Sequence, residues 1–245
     1  MGDGTFLSAS AANTMALGAL TNASGASFAV FGSASHPATL AFTGAGFSQN
    51  DGTFQLFNTT PLTVNNAFTN SSTGTFQLGG TSAVTVTGNY TNGGALDVDV
   101  GSGDGGGNLT VGGTLANTKT VQMGDGTFLS AGAANTMTVG GLNNMSAGTV
   151  SVFGSSANQA KFNVTGGMAS NSGDLEVHEN VAVTTAAGVN LTNNGTFNID
   201  TGSGQGASTT TIGGTLSNTA TLNIGNTALS APTAVTAAAL TTPAQ

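Results

Sequence analysis

The chain has 245 residues, two of them lysine and none arginine, against ten Asp and Glu, for a formal charge of −8. Charged residues make up 5%, against about 25% in a typical soluble domain. So little positive charge excludes phosphate neutralisation and attraction to anionic membrane surfaces, and no stretch approaches the ~20 apolar residues of a membrane-spanning helix.

In chain order, one motif returns nine times: an apolar residue, a short polar spacer ending in most cases at Asn, then an alternating apolar run. It reads Leu20 with Phe28 and Val30, Phe47 with Phe54 and Leu56, Phe68 with Phe76 and Leu78. It continues as Tyr90 with Leu96 and Val98, Leu115 with Val121 and Met123, Leu142 with Val150 and Val152. The last three are Met168 with Leu175 and Val177, Leu191 with Phe197 and Ile199, and Leu216 with Leu222 and Ile224. A second alternating run precedes most of these, as in residues 83–88, 108–113 and 136–141. Period-2 alternation in short runs punctuated by Gly and Asn predicts strands. Each coil therefore carries two clear strands, with a third expected in variable stretches such as 127–131.

Long-range repetition indicates how these strands are arranged. Residues 1–22 return as 123–144 with 17 of 22 identities, offset by 122, whereas 101–123 return as 202–224, offset by 101. The difference is 21 residues. A globular domain does not lose 21 residues between duplicated copies without damage, but a solenoid loses one whole coil and restacks. The expected fold is all-β: a single parallel β-helix, or β-solenoid, over 1–225, built as a duplication of 1–122 and 123–225. It has about nine coils of 20–28 residues. Strands ~4.8 Å apart give a rod of roughly 43 Å. The corner Asn residues (Asn22, Asn70, Asn92, Asn117, Asn144, Asn193, Asn218) are expected to stack as an amide ladder. Residues 226–245, rich in Ala and Thr, are a frayed tail or a partial extra coil. Met1 occupies the repeat position of Met123 and Ile224, so the chain reads as a piece cut mid-coil from a longer repetitive protein. Cysteine is absent, which suits passage through oxidising surroundings.

The cadence of alternating apolar residues, Gly and Asn resembles the repeats of filamentous haemagglutinin-like adhesins and autotransporter passengers of bacteria. The resemblance covers residues 1 to about 225. It implies a right-handed β-helix, export to the bacterial cell surface, and contact with host or cell-surface glycans or proteins. It transfers no binding residue.

Between the paired apolar positions lies an outward residue, so the run Ala29, Gln55, Gln77, Asp97, Gln122, Ser151, Glu176, Asn198 and Asn223 forms a polar column. Gln55, Gln77, Asp97, Gln122, Glu176 and Asn198 are the candidate ligand contacts, and a second outward column is expected to include Asp99, His178 and Asp200. Paired-carboxylate glycosidases hold their carboxyl groups about 5–9.5 Å apart. Asp97 and Asp99 satisfy that on strand geometry, but nothing in the sequence raises the pKa of either. His178 and Asp200 on adjacent rungs lack a matched nucleophile, and the missing arginine argues against a lyase for acidic polysaccharides. The glycine runs at 101–108 and after Met1 and Met123 lack the recurring Asp of calcium-binding nonapeptide repeats: Asp104 becomes Gln205 and Asp125 becomes Asn226. Thr-x-Thr pairs such as Thr85/Thr87, Thr118/Thr120, Thr209/Thr211 and Thr219/Thr221 fall in different phases of the coil, and strand propensity accounts for them. Several Asn-x-Ser/Thr triplets (Asn22, Asn70, Asn144, Asn194) match glycosylation acceptors. No catalytic residue, cofactor or metal site is assigned. The expectation is a non-catalytic stalk and adhesive segment of a secreted or surface-exposed repeat protein. The alternatives are a purely structural spacer and, behind it, a β-helical polysaccharide enzyme.

Overall fold

The computed structural model describes residues 13–101, 105–125 and 133–242. Among them there is no helix, and every strand pairing is parallel. The chain is a β-solenoid of about nine turns.

One sheet records the stacking directly. Its nine strands lie in strict chain order: Ser27–Phe31, Thr53–Phe57, Thr75–Gly79, Ala95–Val98, Thr120–Met123, Thr149–Phe153, Asp174–His178, Thr196–Ile199 and Thr221–Ile224. Each is the alternating run that follows a corner Asn, so one strand marks one coil. Registered residues are separated by as few as 20 positions (Thr75 to Ala95) and as many as 29 (Thr120 to Thr149).

The remaining strands form a 13-stranded sheet and a two-stranded one, Thr14–Ala19 with Thr39–Gly46. In three coils the larger sheet holds one long strand that runs through a Gly-Gly pair, Asn108–Asn117, Thr136–Asn144 and Thr209–Asn218. In others two short strands take its place, as in Ala83–Val86 and Tyr90–Asn92, or Ala160–Val164 and Ala169–Asn171. The register between Asn108–Asn117 and Thr136–Asn144 slips between Val111 and Thr114, where Gly112 and Gly113 bend the chain. Each coil thus has three strand positions. The third is the short apolar-x-Asn segment itself. The expected third strand at 127–131 lies outside the described residues.

Period-2 alternation puts every second side chain inside, and stacking then aligns like with like. Phe54, Phe76, Leu96, Val121, Val150, Leu175 and Phe197 form one interior column in register. All are at most 1% exposed. Phe47, Phe68 and Tyr90 line up in a second column, edge-on and tilted, with ring centroids 5.0 and 5.1 Å apart. Met168, expected as the inward apolar residue of its coil, faces out instead. It is 68% exposed, and Ala169 takes the inward place on Leu142 and Leu191. Ala169 stands two residues before Asn171, as Leu142 and Leu191 stand before Asn144 and Asn193, so Met168 falls one residue outside the inward position.

The corner amides form a continuous ladder of nine: Asn22, Asn50, Asn70, Asn92, Asn117, Asn144, Asn171, Asn193 and Asn218. Each Nδ2 donates to the Oδ1 of the next at 2.7–3.0 Å. The same Nδ2 donates to a strand carbonyl of the following coil, for instance Asn70 to Ala95 O at 2.8 Å and Asn92 to Thr120 O at 2.8 Å. Eight of the nine are at most 3% exposed, which such satisfied amides tolerate. Gly94 lies just past the corner and passes the previous coil so closely that a Cβ there would sit 2.1 Å from Gly74 O.

The end of the chain, expected as a frayed tail or a partial extra coil, carries a strand at Ala234–Thr241 in register on Thr209–Asn218. Its slip between Ile212 and Thr215 repeats the slip between the Asn108–Asn117 and Thr136–Asn144 strands.

Candidate functional site

The nine-stranded sheet presents its alternate residues outward, and the polar column lies on its third position. Ala29, Gln55, Gln77, Asp97, Gln122, Ser151, Glu176, Asn198 and Asn223 stand rung on rung in register. All six candidate contacts are therefore in one line, and all six are half-buried.

Within the line, hydrogen bonds divide the column into three groups. Gln55 Nε2 donates to Gln77 Oε1, and Gln77 Nε2 donates to Asp97 Oδ2 at 3.1 Å. The run breaks at Gln122, whose amide turns to the carbonyl of Gly124 at 3.0 Å. Ser151 Oγ donates to Glu176 Oε2 at 2.9 Å, and Asn223 Nδ2 to Asn198 Oδ1 at 2.9 Å. Burial pushes the Asp97 carboxyl above the ordinary aspartate range, and the Gln77 hydrogen bond opposes that shift in part.

The second outward column does not form as expected. Asp99 and Asp200 follow the last strand residues Val98 and Ile199, adopt φ of 50° and 51°, and turn inward to 2% and 0% exposure. Their oxygens tie the corner: Asp99 Oδ2 accepts from Gly107 N, and Asp200 accepts from Ser208 N at 3.1 Å, Ser208 Oγ at 2.9 Å and Glu179 N at 2.8 Å. Both corners span eight residues, and the 101-residue repeat carries Asp99 and Gly107 onto Asp200 and Ser208. The Asp97/Asp99 pair is therefore split, one carboxylate on the face and one inside. The expected His178–Asp200 contact gives way to other partners as well. Gln205 Oε1 accepts from Gly202 N at 2.9 Å, so its Nε2 donates to His178 Nδ1 at 2.9 Å. The other ring nitrogen, His178 Nε2, faces Glu176 Oε2 at 3.5 Å.

A feature missed in the sequence lies at the fifth position of the same strands. Phe31 and Phe57 stack at 5.2 Å, and Phe153 and His178 stack at 4.3 Å. All four are half-buried on the outside of the sheet. The available signal was the consecutive pair Leu56-Phe57, or Val152-Phe153, where a second apolar residue breaks the period of two. Between the two aromatic pairs the fifth position is empty at Gly79, turned inward at Asp99 and empty at Gly124. The hollow left there has a volume of about 190 Å3 and is lined by Phe57, Gln77, Leu78, Asp97, Val100 and Gly101.

On the other sheet, the threonines are more ordered than the Thr-x-Thr pairs indicated. Thr63, Thr85, Thr110, Thr138, Asn163, Thr184, Thr211 and Thr236 share one outward column. Thr120 and Thr221 belong instead to the first position of the nine-stranded sheet. Of the glycosylation triplets, Asn22, Asn70 and Asn144 are rungs of the buried ladder, while Asn194 is exposed and accepts from Thr219 Oγ1 at 2.6 Å. Among the described residues, no three His, Asp or Glu side chains gather as metal ligands. No protein-family model, curated protein or solved structure matches this chain.

Proposed function

We propose that this chain is a non-catalytic stalk whose side face is adhesive, part of an exported protein displayed on a bacterial surface. The observation that carries the reading is the uninterrupted register of the outer column from Ala29 to Asn223, nine rungs on one face of a stiff rod. Stacked coils repeat one polar contact at a fixed ~4.8 Å interval. Many weak contacts at fixed spacing add by multivalency, because each later contact is made at high effective concentration. The partners of such a face are glycans or proteins of an opposing surface. The hydrogen bonds that Gln55, Gln77 and Asp97 make with one another favour a second reading, a pure spacer whose column serves only to stiffen the rod.

The experiment is attachment of the purified chain to cells and to glycan-coated surfaces, with Gln77, Asp97, Gln122 and Glu176 all replaced by Ser. Attachment that falls at least about tenfold supports the adhesive face, and unchanged attachment supports the spacer.

A further inference from the structure

We propose that the hollow beside Phe57 is a subsite for one neutral sugar ring, with Phe57 as its flat wall and Gln77 and Asp97 as its polar wall. This deepens the adhesive reading of the same face and rests on it.

The hollow is a consequence of the stacking. Aromatic side chains fill the fifth position at Phe31 and Phe57 and again at Phe153 and His178. On the three rungs between, Gly79 and Gly124 bring no side chain of their own to that position and Asp99 turns inward. The Phe57 ring leans into the place of the missing Gly79 side chain, since a Cβ on Gly79 would lie 2.1 Å from Phe57 Cδ1. Its volume of about 190 Å3 falls below the ~300 Å3 at which drug-sized ligand pockets begin, so it suits one ring rather than an oligomer.

The lining selects the ligand. An ionised carboxylate only accepts hydrogen bonds, and it has room for several. Asp97 receives one amide donor, from Gln77, on one side; on the other side Gln122 gives its amide to Gly124. Burial already disfavours the Asp97 charge, so the position favours a partner rich in hydroxyl donors. Beside it stands a half-buried aromatic ring, the surface on which the C–H face of a pyranose packs. A net charge of −8 and the absence of arginine disfavour an acidic sugar. An extended peptide would need an open strand edge, whereas Thr75–Gly79 is paired on both sides, with Thr53–Phe57 and with Ala95–Val98.

The test is an NMR titration of the intact chain with the methyl glycosides of glucose, galactose, mannose and N-acetylglucosamine, at the millimolar concentrations a single-ring site calls for. The expected result is saturation transfer to at least one of the four, with shifts of the Gln77 side-chain amide. Asp97→Asn and Phe57→Leu should each weaken that binding by about tenfold, the effect of one lost polar or stacking contact. Thr110→Ser, on the other sheet, should leave it unchanged. Asp97→Asn keeps the side-chain shape, so lost binding in a folded variant is not a folding defect. The proposal is overturned if none of the four sugars moves Gln77, if binding survives both substitutions, or if only an acidic sugar or a peptide moves these signals. Cell attachment that persists in both variants overturns the subsite and leaves the adhesive face standing. Sugar binding without attachment to any cell or coated surface does the reverse.

Discussion

Replacing Asn117 by Ala removes the middle rung of the corner ladder, and the structure sets the cost. Asn117 Nδ2 shares its two hydrogens among Asn144 Oδ1 at 2.9 Å, Lys119 O at 3.1 Å and Thr149 O at 3.1 Å. Its Oδ1 accepts from Asn92 Nδ2 at 2.9 Å and from Lys119 N at 3.2 Å. Truncation leaves Asn144 Oδ1 without its ladder donor and Lys119 N without the side-chain acceptor. Each such group costs about 1–3 kcal/mol when water cannot reach it, so Asn117→Ala should lose about 2–5 kcal/mol. Asn218 is the control. It is half-buried, and its Nδ2 donates to Ala220 O in an exposed setting, so Asn218→Ala should lose about 1 kcal/mol or less. Urea unfolding supplies the two midpoints. Hydrogen exchange shows whether the loss is local, as expected where each coil contacts only its neighbours. Equal losses for the two variants, within about 0.5 kcal/mol, would refute the claim that buried amide pairing holds the corners.

Tyr90 hydroxyl is fully buried with no hydrogen-bond partner. Tyr90→Phe should therefore raise stability by about 1 kcal/mol, the relieved desolvation of one hydroxyl, and a lower melting temperature would contradict this. Thr210 Oγ1 is likewise buried and unpartnered, and Val183 and Val235 flank it on the neighbouring rungs. Thr210→Val should be stabilising by a similar margin in the same melting experiment. Burial raises the folded pKa of Asp97 above the ordinary aspartate range, so the native state holds that proton more tightly than the unfolded chain. Its contribution to stability is present in full below the unfolded pKa and is lost as pH rises through the folded one. Asp97→Asn should therefore match the parent at low pH and become relatively more stable as pH rises, and a gap that widens on acidification would refute this. Gly94→Ala should weaken the corner by driving a Cβ against Gly74 O, with faster exchange of the Ala95 amide as the readout.

The solenoid was legible because its physics is periodic. The apolar alternation that fills the Phe54–Phe197 column also fixes which residues face out, so the register from Gln55 through Asn198 could be read from spacing alone. Asn50 and Asn171 complete the ladder and went unassigned because their coils carry one extra residue between the apolar residue and the Asn. Failures came where a residue leaves the period. Asp99 and Asp200 looked like the next outward position, but the strand ends one residue earlier and a left-handed φ carries them inside. Phe57 and Phe153 were not singled out, because the alternating pattern ends at Leu56 and Val152, which already fill the interior. Nothing in the one-dimensional pattern shows that Gly79, Asp99 and Gly124 fall on consecutive rungs and open one hollow, because that requires three coil lengths to be known at once.

The corner ladder also gives the rod a direction. From Asn22 to Asn218 every amide nitrogen points to the oxygen of the following coil, and none points back. Eight aligned side-chain dipoles then add head to tail and polarise one another in a medium of low permittivity. The axis is thereby a vector rather than a line. A coil laid on this stack upside down would meet an amide with an amide, so growth by added coils proceeds with a single sense of travel along the rod.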